Sequence, residues 1–153
     1  MAGQAQKEIT HNEALQTLDT IVAAAAEEGP RDDPPPSPAL SACYIVGTTP
    51  TGAWAGKPLS VAAYTSGGWR FVIPVDGMTV FVKSQAVPAT YRQGAWEIGV
   101  LRGSSVLIGG QQVVGARMSA IPPAAGGTTI DSEARGAIDQ ILVALRQHGL
   151  IDP

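Results

Sequence analysis

The sequence predicts an α+β protein in which an N-terminal helix, a proline-rich spacer, a compact antiparallel β domain and a C-terminal amphipathic helix follow one another, gathered into a trimeric assembly. Three observations lead there. Apolar residues recur at helical spacing near both ends, a proline run separates the first helix from the rest, and the middle alternates short β-branched or aromatic runs with turn residues.

The first element covers residues 1–28. Thr10-His11-Asn12-Glu13 fits a capping box, in which the Thr10 hydroxyl accepts from the Glu13 amide and the Glu13 carboxylate accepts from the Thr10 amide, so the helix is expected to begin at His11. Leu15, Leu18, Val22 and Ala25 then fall at spacings of three, four and three, with Ala14 and Ile21 widening a narrow apolar stripe. Gly29-Pro30 ends this helix. Residues 29–41, with Pro34-Pro35-Pro36 at their centre, are expected as a stiff, extended linker poor in amide donors.

Residues 42–121 change character. Cys43 to Val46, Val61 to Tyr64, Trp69 to Ile73, Thr79 to Val82, Thr90-Tyr91, Trp96 to Ile98, Ser105 to Ile108 and Gln112 to Val114 are short strand-like runs bounded by Gly, Pro, Ser or Asp. Their spacing of roughly ten residues predicts a compact antiparallel sheet or barrel. Tyr64 to Trp69 and Tyr91 to Trp96 both hold a tyrosine and a tryptophan five residues apart around glycine, the pattern of two similar hairpins. Cys43 opens an apolar run and is expected to be a small buried residue.

The last section, residues 122–153, opens with Pro122-Pro123 and Gly126-Gly127 as a loop and returns to helix. Asp131 is the expected N-cap, Glu133 faces the positive end of the dipole, and Gly149 is the expected terminator. Ala134, Ile138, Ile141 and Leu145 recur at four, three and four, and isoleucine at both seam positions favours three or more strands over two. These four residues, with Leu15, Leu18 and Val22, are the expected oligomerisation contacts. Three turns alone are too short to hold an oligomer, so the neighbouring sheets must share the work.

Composition narrows the functional classes. Charged residues are 15% of the chain against roughly 25% in an average soluble domain, and apolar residues are 44%, so much surface is expected to be hidden against copies of the same chain. A formal charge of −3 offers no basic footprint for nucleic acid. The apolar stretch Ile21 to Ala26 is too short to cross a bilayer, and neither a membrane span nor a secretory signal is expected.

The residues that chemistry requires do not assemble into a set. His11 and His148 sit at helix ends outside any metal-ligand spacing, and the single cysteine excludes a multi-cysteine site. Asp32-Asp33 lies in the proline spacer, where no burial is expected to perturb it. The Gly-Gly pairs lack the Lys-Ser/Thr of a phosphate loop, and Gly103-Ser104-Ser105-Val106 lacks the second glycine of a nucleophile elbow. A polysaccharide-degrading site would need two carboxylates on the β section, which offers Asp76 and Glu97 alone. No catalytic residue, metal site or cofactor is therefore expected. Trp54, Tyr64, Trp69, Tyr91 and Trp96 remain as candidate glycan contacts, because aromatic faces can stack on the apolar faces of sugars, although packing into the core or a hairpin is the favoured reading for any one of them.

Gly3 to Leu15 (GQAQKEITHNEAL), Cys43 to Gly47 (CYIVG), Thr51 to Gly56 (TGAWAG) and Gly68 to Phe71 (GWRF) resemble one family, DUF2793, found in alphaproteobacterial prophages and gene transfer agents. The resemblance covers about residues 3 to 97. The ending, Ile130 to Arg135 and Leu145 to Ile151, looks like the tail commonly attached to such proteins. It implies a particle component, a tail-fibre or head-spike subunit assembled in the bacterial cytoplasm and docked to other tail, baseplate or capsid proteins. It carries over no catalytic residues. The alternative is a carbohydrate-binding module that recognises capsule or lipopolysaccharide through its aromatic hairpins.

Overall fold

The computed structural model describes residues 11, 15–22 and 24–153. The chain forms two compact units, residues 1–101 and residues 102–153. The architecture is α+β and mostly antiparallel.

In the first unit, helix α1 (residues 15–22) leads into a seven-stranded sheet. Its strands are β1 (Ala25–Ala26), β2 (Cys43–Ile45), β3 (Val61–Thr65), β4 (Gly68–Val72), β5 (Thr79–Val82), β6 (Val87–Arg92) and β7 (Ala95–Ile98). Their spatial order is β4-β3-β2-β1-β5-β6-β7. Two antiparallel meanders, β2 to β4 and β5 to β7, thus flank a two-residue strand that runs parallel to both neighbours. The helical stripe expected to continue to Ala25 stops short of it, because Ala25 and Ala26 complete the sheet instead. Backbone pairing at the centre of a sheet outweighs the helix propensity of alanine. The Thr10–Glu13 capping box lies outside the described residues.

Alternation along the strands builds a core on each face. Ala26, Ile45, Val61, Val80, Val82 and Ala89 form one cluster, with Val72, Trp96 and Ile98 packed against it. Residues of both edge strands, β4 and β7, reach this one cluster, so the sheet is curled. On the other face Ala42, Tyr44, Val46, Ala62, Trp69 and Phe71 surround Trp54, which the 3-10 turn Gly52–Trp54 carries inward. Cys43 is buried at the start of β2.

The proline-rich segment 29–41 is tied to the sheet rather than held away from it. Arg31 pairs with Val46 in a parallel bridge, the Arg31 amide donates to the Ile45 carbonyl at 3.1 Å, and the Gly47 amide donates to the Arg31 carbonyl at 2.7 Å. The Arg31 guanidinium holds Glu28 at 2.5 Å and Asp33 at 2.8 Å, and this hydrogen-bonded pairing lowers the Asp33 carboxyl below the ordinary carboxylate range. Asp32, expected to be a solvated bystander, accepts from the Thr49 amide and the Thr49 hydroxyl, both at 2.8 Å. Prolines leave few donors, but the residues between and before them supply enough to dock the segment.

The second unit holds a separate two-stranded ribbon, β8 (Val106–Ile108) and β9 (Gln111–Val114), and helix α2 (Ser132–Gln147). The β region expected to run as one domain to residue 121 is therefore divided, since β8 and β9 pair only with each other. Gly109 and Gly110 both adopt positive φ at the ribbon turn, which a two-residue mirror-image turn requires. Asp131 caps α2, its side chain accepting from the Ala134 amide at 2.9 Å, and Gly149 follows the C-cap with φ of 67°. Arginines tie the connecting loop to the helix region: Arg146 donates to the Ile121 carbonyl, Arg135 to the Gly126 carbonyl and Arg117 to the Gly149 carbonyl.

Two outcomes test this packing. A Cβ on Gly47 would lie 2.2 Å from Asp32 Oδ1 and 3.2 Å from the Arg31 carbonyl carbon. Asp32 cannot swing aside without losing both Thr49 bonds, so Gly47→Ala is expected to cost about 1–3 kcal/mol in urea unfolding. Burial pushes the Cys43 thiol above its ordinary value. In neutral buffer a water-soluble disulfide reagent should therefore label native Cys43 at least about tenfold more slowly than the denatured chain.

Candidate functional site

Two kinds of surface were expected to carry function: aromatic hairpins and apolar helix ridges. The hairpins form as the repeat predicts. Tyr64 pairs directly with Trp69 across β3 and β4, with ring centroids 5.0 Å apart, and Tyr91 pairs with Trp96 across β6 and β7 at 5.3 Å. The turns differ in detail. The second places Gln93 and Gly94 at positive φ, with the Gln93 amide held by Asp76 Oδ1 at 2.9 Å, whereas the first places the positive φ on Gly68.

Their surroundings then set the two tryptophans apart. Trp69 packs against Tyr44, Trp54 and Tyr64, with centroids at 5.8, 5.1 and 5.0 Å, and is half-buried at the margin of that core. Trp54 is fully buried at 0% exposure and contacts Tyr44 and Trp69, which removes it from the candidate glycan contacts. Its Nε1 finds no hydrogen-bond partner. A core that gains this much aromatic packing tolerates one unpaired indole donor. Tyr64 and Tyr91 are half-buried against their partners.

Trp96 is placed otherwise. Its Nε1 donates to the Leu59 carbonyl at 2.7 Å, fixing the indole plane, and the half-buried residue lines an open cleft of about 310 Å³. Pro30, Asp32, Thr48, Leu59 and Gly94 line the same cleft. Leu59 holds φ of 60°, a conformation that costs a non-glycine residue energy and presents its carbonyl to the indole. Thr48 and Leu59 do not stand out in the sequence and Asp32 reads there as solvated, because the contact joins segments that are far apart along the chain.

The helix ridges are open. On α1, Gln16, Asp19 and Thr20 line a small cavity with Ser41, Cys43 and Tyr64, and the Thr20 hydroxyl, buried there, donates to the Gln16 carbonyl at 2.8 Å. Leu15, Leu18 and Val22 occupy the opposite side, and Val22 is 80% exposed. On α2, Leu142 is the buried residue, while Ala134, Ile138 and Ile141 are exposed, Ile141 by 58%, and Leu145 is half-buried. The ribbon adds Val106, Leu107, Ile108, Val113 and Val114, all exposed. No helix among the described residues is long and apolar enough to cross a membrane.

No curated protein matches this chain. The family model for Protein of unknown function (DUF2793) matches residues 11–97, a span that contains α1, both hairpins and the docked proline segment and ends within β7. That span is more than half of the sequence, and the chain belongs to the DUF2793 family.

Proposed function

We propose that the chain is a structural, non-enzymatic subunit of a phage-like particle or gene transfer agent, a homotrimeric tail-fibre or head-spike component that takes part in attachment to the host cell. The observation that carries the assembly part of this reading is the orientation of its helices. Both α1 and α2 turn apolar residues to solvent, and on α1 it is polar Thr20 that is buried, beside a small cavity that Gln16 and Asp19 also line, while Leu15, Leu18 and Val22 are exposed. Such ridges are stable when other chains cover them.

The second unit supports the same reading. Leu142 and Ile151 are its buried apolar side chains, and a two-stranded ribbon by itself is marginal in water. Between Gly103 and Ile130 the sequence carries one charged residue, Arg117, so copies of this unit meet without like-charge repulsion, and the ribbon edges lack the lysines that ordinarily discourage pairing. The particle part of the reading rests on the likeness of the opening motif and the β section to proteins of prophages and gene transfer agents. Its partners would then be copies of itself and other tail, baseplate or capsid proteins.

Sedimentation of the purified protein at micromolar concentration is expected to give a trimer, and a clean monomer would refute the assembly. Ile138→Asp combined with Ile141→Asp should dissociate it, weakening association by at least about 4 kcal/mol, roughly a thousandfold, while the tryptophan fluorescence of the first unit stays native. Antibody against the chain should decorate intact particles at one end or at the capsid surface in electron micrographs; undecorated particles would refute the particle assignment.

A further inference from the structure

We propose that the cleft beside Trp96 is a binding subsite for one neutral pyranose unit of a glycan. The cleft belongs wholly to the first unit, and its chemistry is that of saccharide recognition. The indole is held in place at both ends: Nε1 donates to the Leu59 carbonyl at 2.7 Å, and Tyr91 packs edge-on at 5.3 Å. A fixed aromatic surface offers the apolar C–H face of a sugar ring a stacking partner with little conformational entropy left to lose.

Asp32 and Thr48, which line the same cleft, supply acceptors. Asp32 is positioned by the Thr49 amide and hydroxyl, which use one site on each of its oxygens, and a carboxylate has about four acceptor sites. The remaining lone pairs suit the hydroxyl donors of a sugar, and Thr48 adds a hydroxyl at the cleft wall. The volume, about 310 Å³, lies at the small end of ligand pockets and accommodates one sugar ring.

Charge selects within that class. The residues lining the cleft include a carboxylate and no cation, so phosphate, uronic acid and sialic acid meet repulsion without compensation. The turn at Gly94, which lines the cleft, is braced independently, by Asp76 accepting from the Gln93 amide, and segment 30–32 is braced by Arg31 pairing with Val46. The cleft is therefore formed before any ligand arrives. Trp69, the other hairpin tryptophan, is half-buried against Tyr44, Trp54 and Tyr64 and does not line this cleft.

The test uses the intact chain, whatever its oligomeric state, and reads the indole N–H resonances by NMR, with Trp96 assigned from its loss in Trp96→Phe. Methyl glycosides of glucose, galactose, mannose and N-acetylglucosamine are titrated in turn, alongside glucuronic acid and adenosine. The expected result is a saturable shift of the Trp96 signal with at least one neutral glycoside, little change at Trp54 or Trp69, and no saturable response to glucuronic acid. Thr48→Leu, an exposed loop substitution that removes a hydroxyl and adds bulk, should weaken that binding about tenfold without altering the rest of the spectrum. The assignment fails if no neutral glycoside gives a saturable shift, if glucuronic acid or adenosine binds as well as the best glycoside, or if Thr48→Leu binds as the native chain does. None of these outcomes depends on whether the chain is a trimer or a particle component.

Discussion

Two alanines hold the first unit together. Strand β1 is only Ala25 and Ala26, yet it lies between the meanders and bonds to both: the Glu27 amide donates to the Cys43 carbonyl on one side, and the Phe81 and Lys83 amides donate to the Ala24 and Ala26 carbonyls on the other, each at 2.9 Å. The Lys83 ammonium closes the seam on the Glu27 carboxylate at 2.7 Å. Without this strand the two meanders would each expose an unpaired edge and half of a core. Small side chains suit the position, because Ala26 sits fully buried among Ile45, Val61, Val80 and Val82, where a larger residue would push the curled sheet apart.

That central strand also fixes what its continuation does. The chain leaving β1 passes along β2 through Arg31, so the proline segment is delivered onto the sheet edge loop at Gly47 and Thr49, where Asp32 locks it. Docking brings Pro30 and Asp32 within reach of the turn between β6 and β7, and the cleft beside Trp96 results. A closely packed glycine makes the approach possible, since no side chain at position 47 could share the space that Asp32 occupies.

The two units divide their tasks along physical lines. The first satisfies its own strands and buries cores on both sheet faces, which is why its hairpins can hold aromatic residues in fixed orientations. The second has helix capping and arginine-to-carbonyl ties that define its local conformation, but few buried side chains to stabilise it. Capping and hydrogen bonds fix local backbone conformation without requiring a large buried core, which is how α2 and the loop before it keep their shape.

What the amino-acid order determined by itself was local. Alternation and turn residues marked eight of the strands, the tyrosine–tryptophan spacing marked both hairpins, and Asp131 and Gly149 marked the ends of α2, because each signal involves neighbours a few residues apart. Tertiary structure decided the rest. Ala25 and Ala26 read as helix until two distant strands offered them hydrogen bonds, Trp54 read as either core or glycan contact until Tyr44 and Trp69 enclosed it, and Asp32 read as solvated until Thr49 met it. The sheet boundary after Ile98 was equally invisible, since β8 and β9 carry the same composition as the strands before them. Pairing partners across a sheet are chosen by the energy of the whole assembly of strands, and no window of sequence contains that energy.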